Sequence, residues 1–443
     1  MLFTSRFNCL VQRSTMMGVV LRLGKIYNNH RHQLACTTGQ PNALNNCRTL
    51  TMKAIQKHDW HRIVSEAESV VGYPTSFLSL RWLMSDEIAN VALYLRRLIE
   101  SNHPLLNTAK NLLYSNNNNM QPWGLIVLLI SKAGGPAIKV SEHAESSGIL
   151  HSQRVLAEVT EMIRISFLVH QGVVNLQPLT QAGQDLSTKN DMSFGNKIAI
   201  LSGDHLLSKS LAELANLRNQ DVNELISSAV RDFTESEFIG ERDEQNNPLP
   251  SIPLPHHESH SGDLEIDDCL SRDLMKPMRI DNCMGVPDKE WALRHILSGG
   301  SLLARSCQAA LKLSGQSETY QKNGYLFGKH LVLAWQAFLE LEPFKNATLP
   351  VNTSFSLVSA PVLFHLDYDP SLYKEIQKGC ISIENIDYDK VHNEVMNGPG
   401  PTATKNLQWK HSLAAMDLLN QFPPSDARNV LQNIISALQD LRS

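Results

Sequence analysis

Three uncharged residues, Gln171, Gly172 and Asn175, stand at positions i, i+1 and i+4 in the segment Glu161-Met-Ile-Arg-Ile-Ser-Phe-Leu-Val-His-Gln-Gly-Val-Val-Asn175. On a helix this spacing puts two side chains one turn apart and a third beside them. Carboxylates so placed could share a cluster of magnesium ions, which prefer hard oxygen ligands and hold substrate phosphates through a few acidic groups. A Gln, a Gly and an Asn carry no negative charge and offer few ligand atoms, so this helix is not expected to bind metal. His256, His257 and His260, beside Glu258 and Asp263, also have ligand chemistry. They lie in a proline-rich setting expected to be solvated linker, whereas a metal site needs ligands held in fixed geometry. The seven cysteines (Cys9, Cys36, Cys47, Cys269, Cys283, Cys307 and Cys380) contain no C-x-x-C pair. Their odd number and irregular spacing argue against a disulfide framework or a zinc ribbon.

The elements that must position these groups read as helices. Leu156, Val159, Ile163, Phe167 and His170 recur at three- and four-residue spacing, the pattern of an amphipathic helix, which by itself needs no function beyond packing a core. Helical patterning covers Ser79 to Glu100, His151 to Val174, Phe194 to Asn216, Asp221 to Phe238, Lys289 to Leu313 and Thr319 to Leu341. It continues over Tyr373 to Gly379, Ile386 to Met396, Asn406 to Asn420 and Ser425 to Leu441. Turns are expected at the Asn116 to Asn119 run and at Gly134-Gly135-Pro136. Almost nothing alternates at the two-residue period of half-buried strands, and no repeat is visible, so the fold class is all-α, a large helical bundle beginning near Asp59. Residues 241–268 hold Pro248, Pro250, Pro253 and Pro255, several acids and few large apolar side chains. That composition predicts a disordered insertion within one domain.

Four stretches in order resemble the trans-polyprenyl diphosphate synthases. The first is the segment above, similar to that family's E-M-I-x-x-x-x-L-V-H-D-D-x-x-D with all three acids gone. Phe194-Gly-Asn-Lys-Ile-Ala-Ile-Leu-Ser-Gly-Asp-His-Leu-Leu-Ser208 resembles W-G-N-x-x-A-x-L-x-G-D-x-L-L. Gly324-Tyr-Leu-Phe-Gly-Lys-His-Leu-Val-Leu-Ala-Trp-Gln-Ala-Phe338 is similar to the helix leading into the second aspartate-rich motif. Thr404-Lys405 and Phe422-Pro-Pro-Ser-Asp-Ala-Arg428 resemble a late T-K pair and a closing L-P-x-S-x-A-R. Any one of these is weak, but their ordered agreement is specific.

The resemblance also places what has been lost. The second D-D-x-x-D falls on Leu339, Glu340 and Pro343, leaving Glu340 as the only acid in register. Glu342 is two residues along, about 200° of helical rotation away, and Pro343 forbids an undisturbed helix. The family's G-G-K-R-x-R-P is matched by Gly134 to Val140, with Pro136 and Ala137 at two basic positions and Lys139 as the surviving base. A mid-chain K-T pair falls on Gly300 and Ser301. Diphosphate recognition depends on such charge-assisted contacts.

The resemblance therefore implies an isoprenoid-synthase-type bundle that has kept its frame without its chemistry, with no catalytic residue, no metal and no cofactor bound by this chain. Heteromeric synthases pair an aspartate-bearing chain, which holds Mg2+, with a related chain lacking the aspartates. This sequence looks like the second kind, the subunit 2 type of the mitochondrial decaprenyl or solanesyl diphosphate synthases. The implied role is support of a catalytic subunit in a hetero-oligomer, a heterotetramer, that builds the ubiquinone side chain from isopentenyl diphosphate and an allylic primer. Phe167, Leu168, His170 and Leu206 are the candidate interface or tunnel residues. Two alternatives stay open: a non-enzymatic scaffold or lipid-sensing protein, and a prenyltransferase with relocated metal ligands.

No acidic residue precedes Asp59, whereas Arg6, Arg13, Arg22, Lys25, Arg31 and Arg48 are scattered through residues 1–58. This reads as a mitochondrial transit peptide, with a matrix location expected and a plain basic tail as the alternative. The 443 residues are 42% hydrophobic and 19% charged, as in a globular protein able to bury a sizeable core. A net charge of -4 gives no general draw toward nucleic acid. The longest apolar run, Trp123 to Ile130, is far short of the roughly 20 residues needed to span a bilayer. Membrane contact, if any, would be peripheral.

Overall fold

The computed structural model describes residues 60, 62–73, 103–105, 122–137, 148–176, 186–254, 283–349 and 354–439. The basic stretch 1–58 expected to be a transit peptide, the patterned stretch from Ser79 to Glu100, the Asn116 to Asn119 run, Lys139 and the histidines at 256, 257 and 260 lie outside the described residues. Trp60–Ser443 forms one compact unit.

The helices are α1 (Trp123–Gly134), α2 (His151–His170), α3 (Leu186–Asn216), α4 (Gln220–Ser236), α5 (Pro287–His295), α6 (Ser301–Leu313) and α7 (Glu318–Glu340). They continue with α8 (Ala360–Tyr368), α9 (Tyr388–Asn397), α10 (Gly400–Leu419) and α11 (Asp426–Gln439). Among the described residues there is no strand, only one isolated bridge between Arg242 and Pro248. The all-α bundle is thus realised. α7 packs on α6 and α10, α2 on α3, and α6 on α1, α2 and α4. The apolar run of α1 is buried on every side, so it is a core helix. No described helix is long and apolar enough to cross a membrane.

The periodic face of α2 buries Leu156, Val159, Ile163 and Val169 as its spacing predicts, while Phe167 stacks on Phe233 of α4 at 4.1 Å between ring centroids. The helix does not run to Val174; it stops at His170. A glycine costs a helix interior about 1 kcal/mol, and Gly172 is followed by two β-branched residues. Gln171, Gly172 and Asn175 therefore do not share a helical face.

Between α5 and α6 the expected single helix is broken by a π-turn, Ile296–Gly300. Gly299 takes φ +158°, and a Cβ there would stand 2.8 Å from the Trp123 ring. α7 starts with the Ser317 side chain accepting from the Tyr320 N–H, and ends where Pro343 starts a 3-10 turn, Glu342–Lys345. α8 was not expected from periodicity: its short sequence, with Pro361 in the first turn, is apolar almost throughout.

The predicted insertion divides. Residues 255–282 lie outside the described residues, whereas 241–254 takes a defined path instead of an open linker. Leu249 is buried, and the Asp243 carboxylate accepts the N–H groups of Gln245, Asn247 and Ile383. A buried anion satisfied by backbone donors stabilises a turn that proline content alone would not reveal.

Candidate functional site

Around the first motif position, backbone groups and the side chains of Asn175 and Asn196 hold the chain in place. Gln171 caps α2, its N–H donating to Phe167 O at 3.0 Å. Gly172 is buried, and a Cβ there would sit 3.2 Å from Val169 O and 3.4 Å from the Leu105 backbone. The Asn175 amide donates to Glu244 O. Asn196 grips Val174 with both ends of its amide, accepting its N–H at 2.9 Å and donating to its carbonyl at 2.8 Å. His103 lies 3.2 Å from Asn196 Oδ1; burial lowers its pKa, and the Asn196 contact opposes that shift.

The same holds for α3. Ser166 donates to Gly203 O at 2.8 Å, and a Cβ on Gly203 would stand 2.2 Å from His170 Nε2. His170 itself lies 3.2 Å from Asp204 Oδ1. The G-D pair of the second stretch thus sets the close approach of α2 and α3, while its G-N pair packs on His103 and holds Val174 beyond the end of α2. Glu161 accepts the Gly124 N–H at 2.8 Å and meets Arg164 at 3.3 Å, while Arg164 stacks over the Trp123 ring.

At the second motif position Leu339 packs against the core and Pro343 lies in the 3-10 turn. Glu340, the acid left in register, is buried and turned inward. Its Oε2 accepts the Trp291 indole N–H at 2.7 Å and the Ala360 N–H at 2.9 Å. Its Oε1 accepts from Gln336 at 3.1 Å and lies 2.8 Å from His295 Nε2. Burial pushes this carboxyl upward, but His295, Ala360 and Gln336 outweigh it and leave the group below its ordinary range.

The basic elements are likewise spent or absent. Ser301 donates to Asp232, which also takes Arg305 at 3.1 Å and Arg231 at 3.0 Å. Arg305 in turn donates to Ser301 Oγ at 2.9 Å. Gly300 approaches His295 O so closely that a Cβ would stand 3.1 Å away. Pro136 is exposed, and the Ala137 N–H donates to Ser314 O at 2.8 Å. Nothing in the chain's sequence periodicity announced Trp291, Asp232 or Arg305 as structural partners. The i, i+4 pairs Glu290–Arg294 and Ser301–Arg305 were the available signal.

These residues do not fit a magnesium cluster. Neutral amides and a glycine stand at one position, and at the other the carboxylate already accepts protein donors on both oxygens. Among the described residues no group of three or more His, Cys, Asp or Glu side chains is placed to hold a metal ion.

Of the residues proposed as an interface, Leu206 is buried and Phe167, Leu168 and His170 are half-buried. Among the described side chains of α3, the exposed large apolar ones are Ile200, Leu201 and Leu211, on the face turned away from Leu206.

The polyprenyl synthetase family model matches residues 123–252. All trans-polyprenyl-diphosphate synthase PDSS2 of Homo sapiens is 38% identical over 388 residues, covering 86% of this chain and 87% of that protein. The probable mitochondrial hexaprenyl pyrophosphate synthase of Yarrowia lipolytica is 26% identical, covering 86% and 88%. Among solved structures, the geranylgeranyl pyrophosphate synthase of Lactobacillus brevis superposes with a TM-score of 0.53 at 14% identity, covering 86% of this chain and 97% of that one. That likeness bears on the fold alone. With the extended identity to PDSS2 over nearly the whole bundle, the chain belongs to the polyprenyl synthetase family.

Proposed function

We propose that this chain is the non-catalytic subunit of a heteromeric all-trans-polyprenyl diphosphate synthase that makes the ubiquinone side chain in the mitochondrial matrix. The observation that carries this reading is Glu340. The last acid in register with the second motif is buried, accepts three protein hydrogen bonds and lies 2.8 Å from His295 Nε2, a structural duty that leaves it poorly placed to bind a metal. The loss of carboxylates at 171, 172 and 175 and of bases at 136 and 137 points the same way. Prenyl transfer needs metal ions to neutralise the departing diphosphate, and Mg2+ would be held by an aspartate-bearing partner chain.

The chain contributes by covering an apolar surface of that partner. Binding only the folded partner stabilises it by mass action. The α3 face bearing Ile200, Leu201 and Leu211 is the contact this reading selects. Mitochondrial import is supported by the acid-free basic N-terminus and by the likeness to the probable mitochondrial hexaprenyl pyrophosphate synthase of Yarrowia lipolytica.

Co-expression with and without an aspartate-bearing homologue, followed by a polyprenyl diphosphate product assay, tests the reading. The expected result is no turnover by the chain alone and a soluble, active hetero-oligomer with the partner. Turnover by the isolated chain overturns it. Full partner activity without this chain favours the scaffold or lipid-sensor alternative.

A further inference from the structure

Residues 239–249 leave the end of α4, turn back on themselves, and are clamped at both ends by one buried arginine. Arg294 donates to Ile239 O at 3.2 Å and to Leu249 O at 3.0 Å, while Glu290 holds it at 2.8 Å. Within the turn the Leu249 N–H donates to Glu241 O at 2.9 Å and the Asp243 N–H to Asn247 O at 3.0 Å. The Arg242 guanidinium bonds Ser236 O and Asn246 O, both at 2.8 Å.

The tip reaches segments remote in sequence. Asn175, at the third acidic position of the first motif, donates to Glu244 O. The Glu244 N–H donates to Ile381 O at 3.2 Å, and Asp243 Oδ2 accepts the Ile383 N–H at 3.0 Å. The Leu249 side chain joins Phe344 and Ile386 in a buried cluster, and Phe344 directly follows the last position of the second motif. One short turn therefore ties the end of the first motif to the region just beyond the second.

We propose that residues 239–249 are a built-in strap that locks the end of the first motif to the turn at 381–383, ordering these ends from within the chain. The residue types match the role. The partner of residue 175 is a carbonyl oxygen, an acceptor, so the side chain there must be a donor. An Asn supplies an N–H, whereas an Asp would set a carboxylate against that carbonyl. The loss of the third acid is thus a replacement suited to the strap. Asp243 is complementary in the opposite sense, an anion surrounded by donors. Burial pushes its carboxyl upward, but the Asn247 amide and the Ile383, Asn247 and Gln245 N–H groups outweigh that and hold it below its ordinary range. The lock goes beyond the functional reading and does not depend on a partner; a chain that turned over substrate alone would refute that reading and leave the strap standing.

The test is amide hydrogen exchange on the full chain, alone or co-purified with its partner, comparing Asp243→Ala and Asn175→Asp with wild type. If the strap is a lock, Asp243→Ala raises exchange at 174–176 and at 381–383 together, by roughly tenfold, while α6 and α11 stay protected. Asn175→Asp, at an exposed position that leaves the core intact, raises exchange at 174–176 and 243–246, and Asn175→Ala does so less. Exchange that rises only within 241–249 in the Asp243 variant, or is unchanged at 243–246 in the Asn175→Asp variant, overturns the proposal. Should Asp243→Ala fail to fold, the Asn175 pair decides.

Discussion

Glu340 and Trp291 are joined by a 2.7 Å hydrogen bond from the indole N–H to Oε2, and the same oxygen accepts the Ala360 N–H at the start of α8. One carboxylate thereby ties α7, α5 and α8 together. Replacing it by Ala would strand the buried indole and His295, and breaking a buried charged network by removing one partner costs on the order of 3 to 5 kcal/mol. Glu340→Gln keeps two acceptor contacts to one oxygen and is expected to cost less than half as much. Urea denaturation of the two variants checks this. Equal midpoints for Glu340→Ala and wild type would return Glu340 to candidacy as a free ligand.

How much of this was legible in the sequence depended on what each residue's role leaves behind in spacing. The apolar period of α2 gave its buried face correctly, since Leu156, Val159 and Ile163 lie inside. Its end was misplaced because the tertiary contacts that stop it, Asn196 on Val174 and the Leu105 backbone against Gly172, come from distant segments. Pro343 ended α7 as its ring chemistry requires. The loss of acids at both motifs was readable from residue types alone. The inward turn of Glu340, the Asp232–Arg305 pair and the strap at 239–249 were not, because side chains far apart in sequence meet there without a periodic signature.

The His330 and His411 rings meet with their Nδ1 atoms 2.9 Å apart, so one of them must donate. Burial, with help from the neighbouring His330, Lys410 and Lys329, lowers His411 from 6.5 to about 3. Between those values the unfolded chain takes up a proton that the folded chain refuses, so stability falls as pH drops below 6.5, at up to about 1.4 kcal/mol per pH unit. His411→Gln, which cannot titrate, should cost stability at pH 7 but lose less on acidification. Urea midpoints at pH 7, 6 and 5 should therefore converge between variant and wild type. A constant gap across that range would exclude His411 as the titrating group.

Ile200 and Leu201 are 44% and 56% exposed on α3, an arrangement that costs a free monomer little to change. Ile200→Asp with Leu201→Asp should leave the chain's thermal midpoint within a few degrees of wild type. The same pair should abolish co-purification with an aspartate-bearing homologue, since unpaired charges buried in an apolar interface are strongly unfavourable. Sedimentation of the co-expressed proteins reads this directly. Undiminished assembly would move the contact to another face.

Restoring the first acidic motif tests how deeply the chemistry has been lost. Gln171→Asp, Gly172→Asp and Asn175→Asp together recreate the three acids, but Gly172 lies beyond the C-cap of α2, where helix propensity gives no support to the change. Contact opposes it, because a Cβ at 172 would stand 3.2 Å from Val169 O and 3.4 Å from the Leu105 backbone, where little can yield. Asn175→Asp removes the donor to Glu244 O and sets two acceptors face to face. The triple variant should lose on the order of 1 to 3 kcal/mol, and Gly172→Ala alone should account for a measurable part of it. Activity should remain absent. Catalytic groups that act as a unit give little when only part is present, and the opposite ligands are still Leu339 and Pro343, with Pro136 and Ala137 at the basic positions. Prenyl transfer by the purified triple variant, with magnesium and no partner, is the measurement. Turnover clearly above the unaltered chain would mean that one motif was all that was missing, and the non-catalytic assignment would fall.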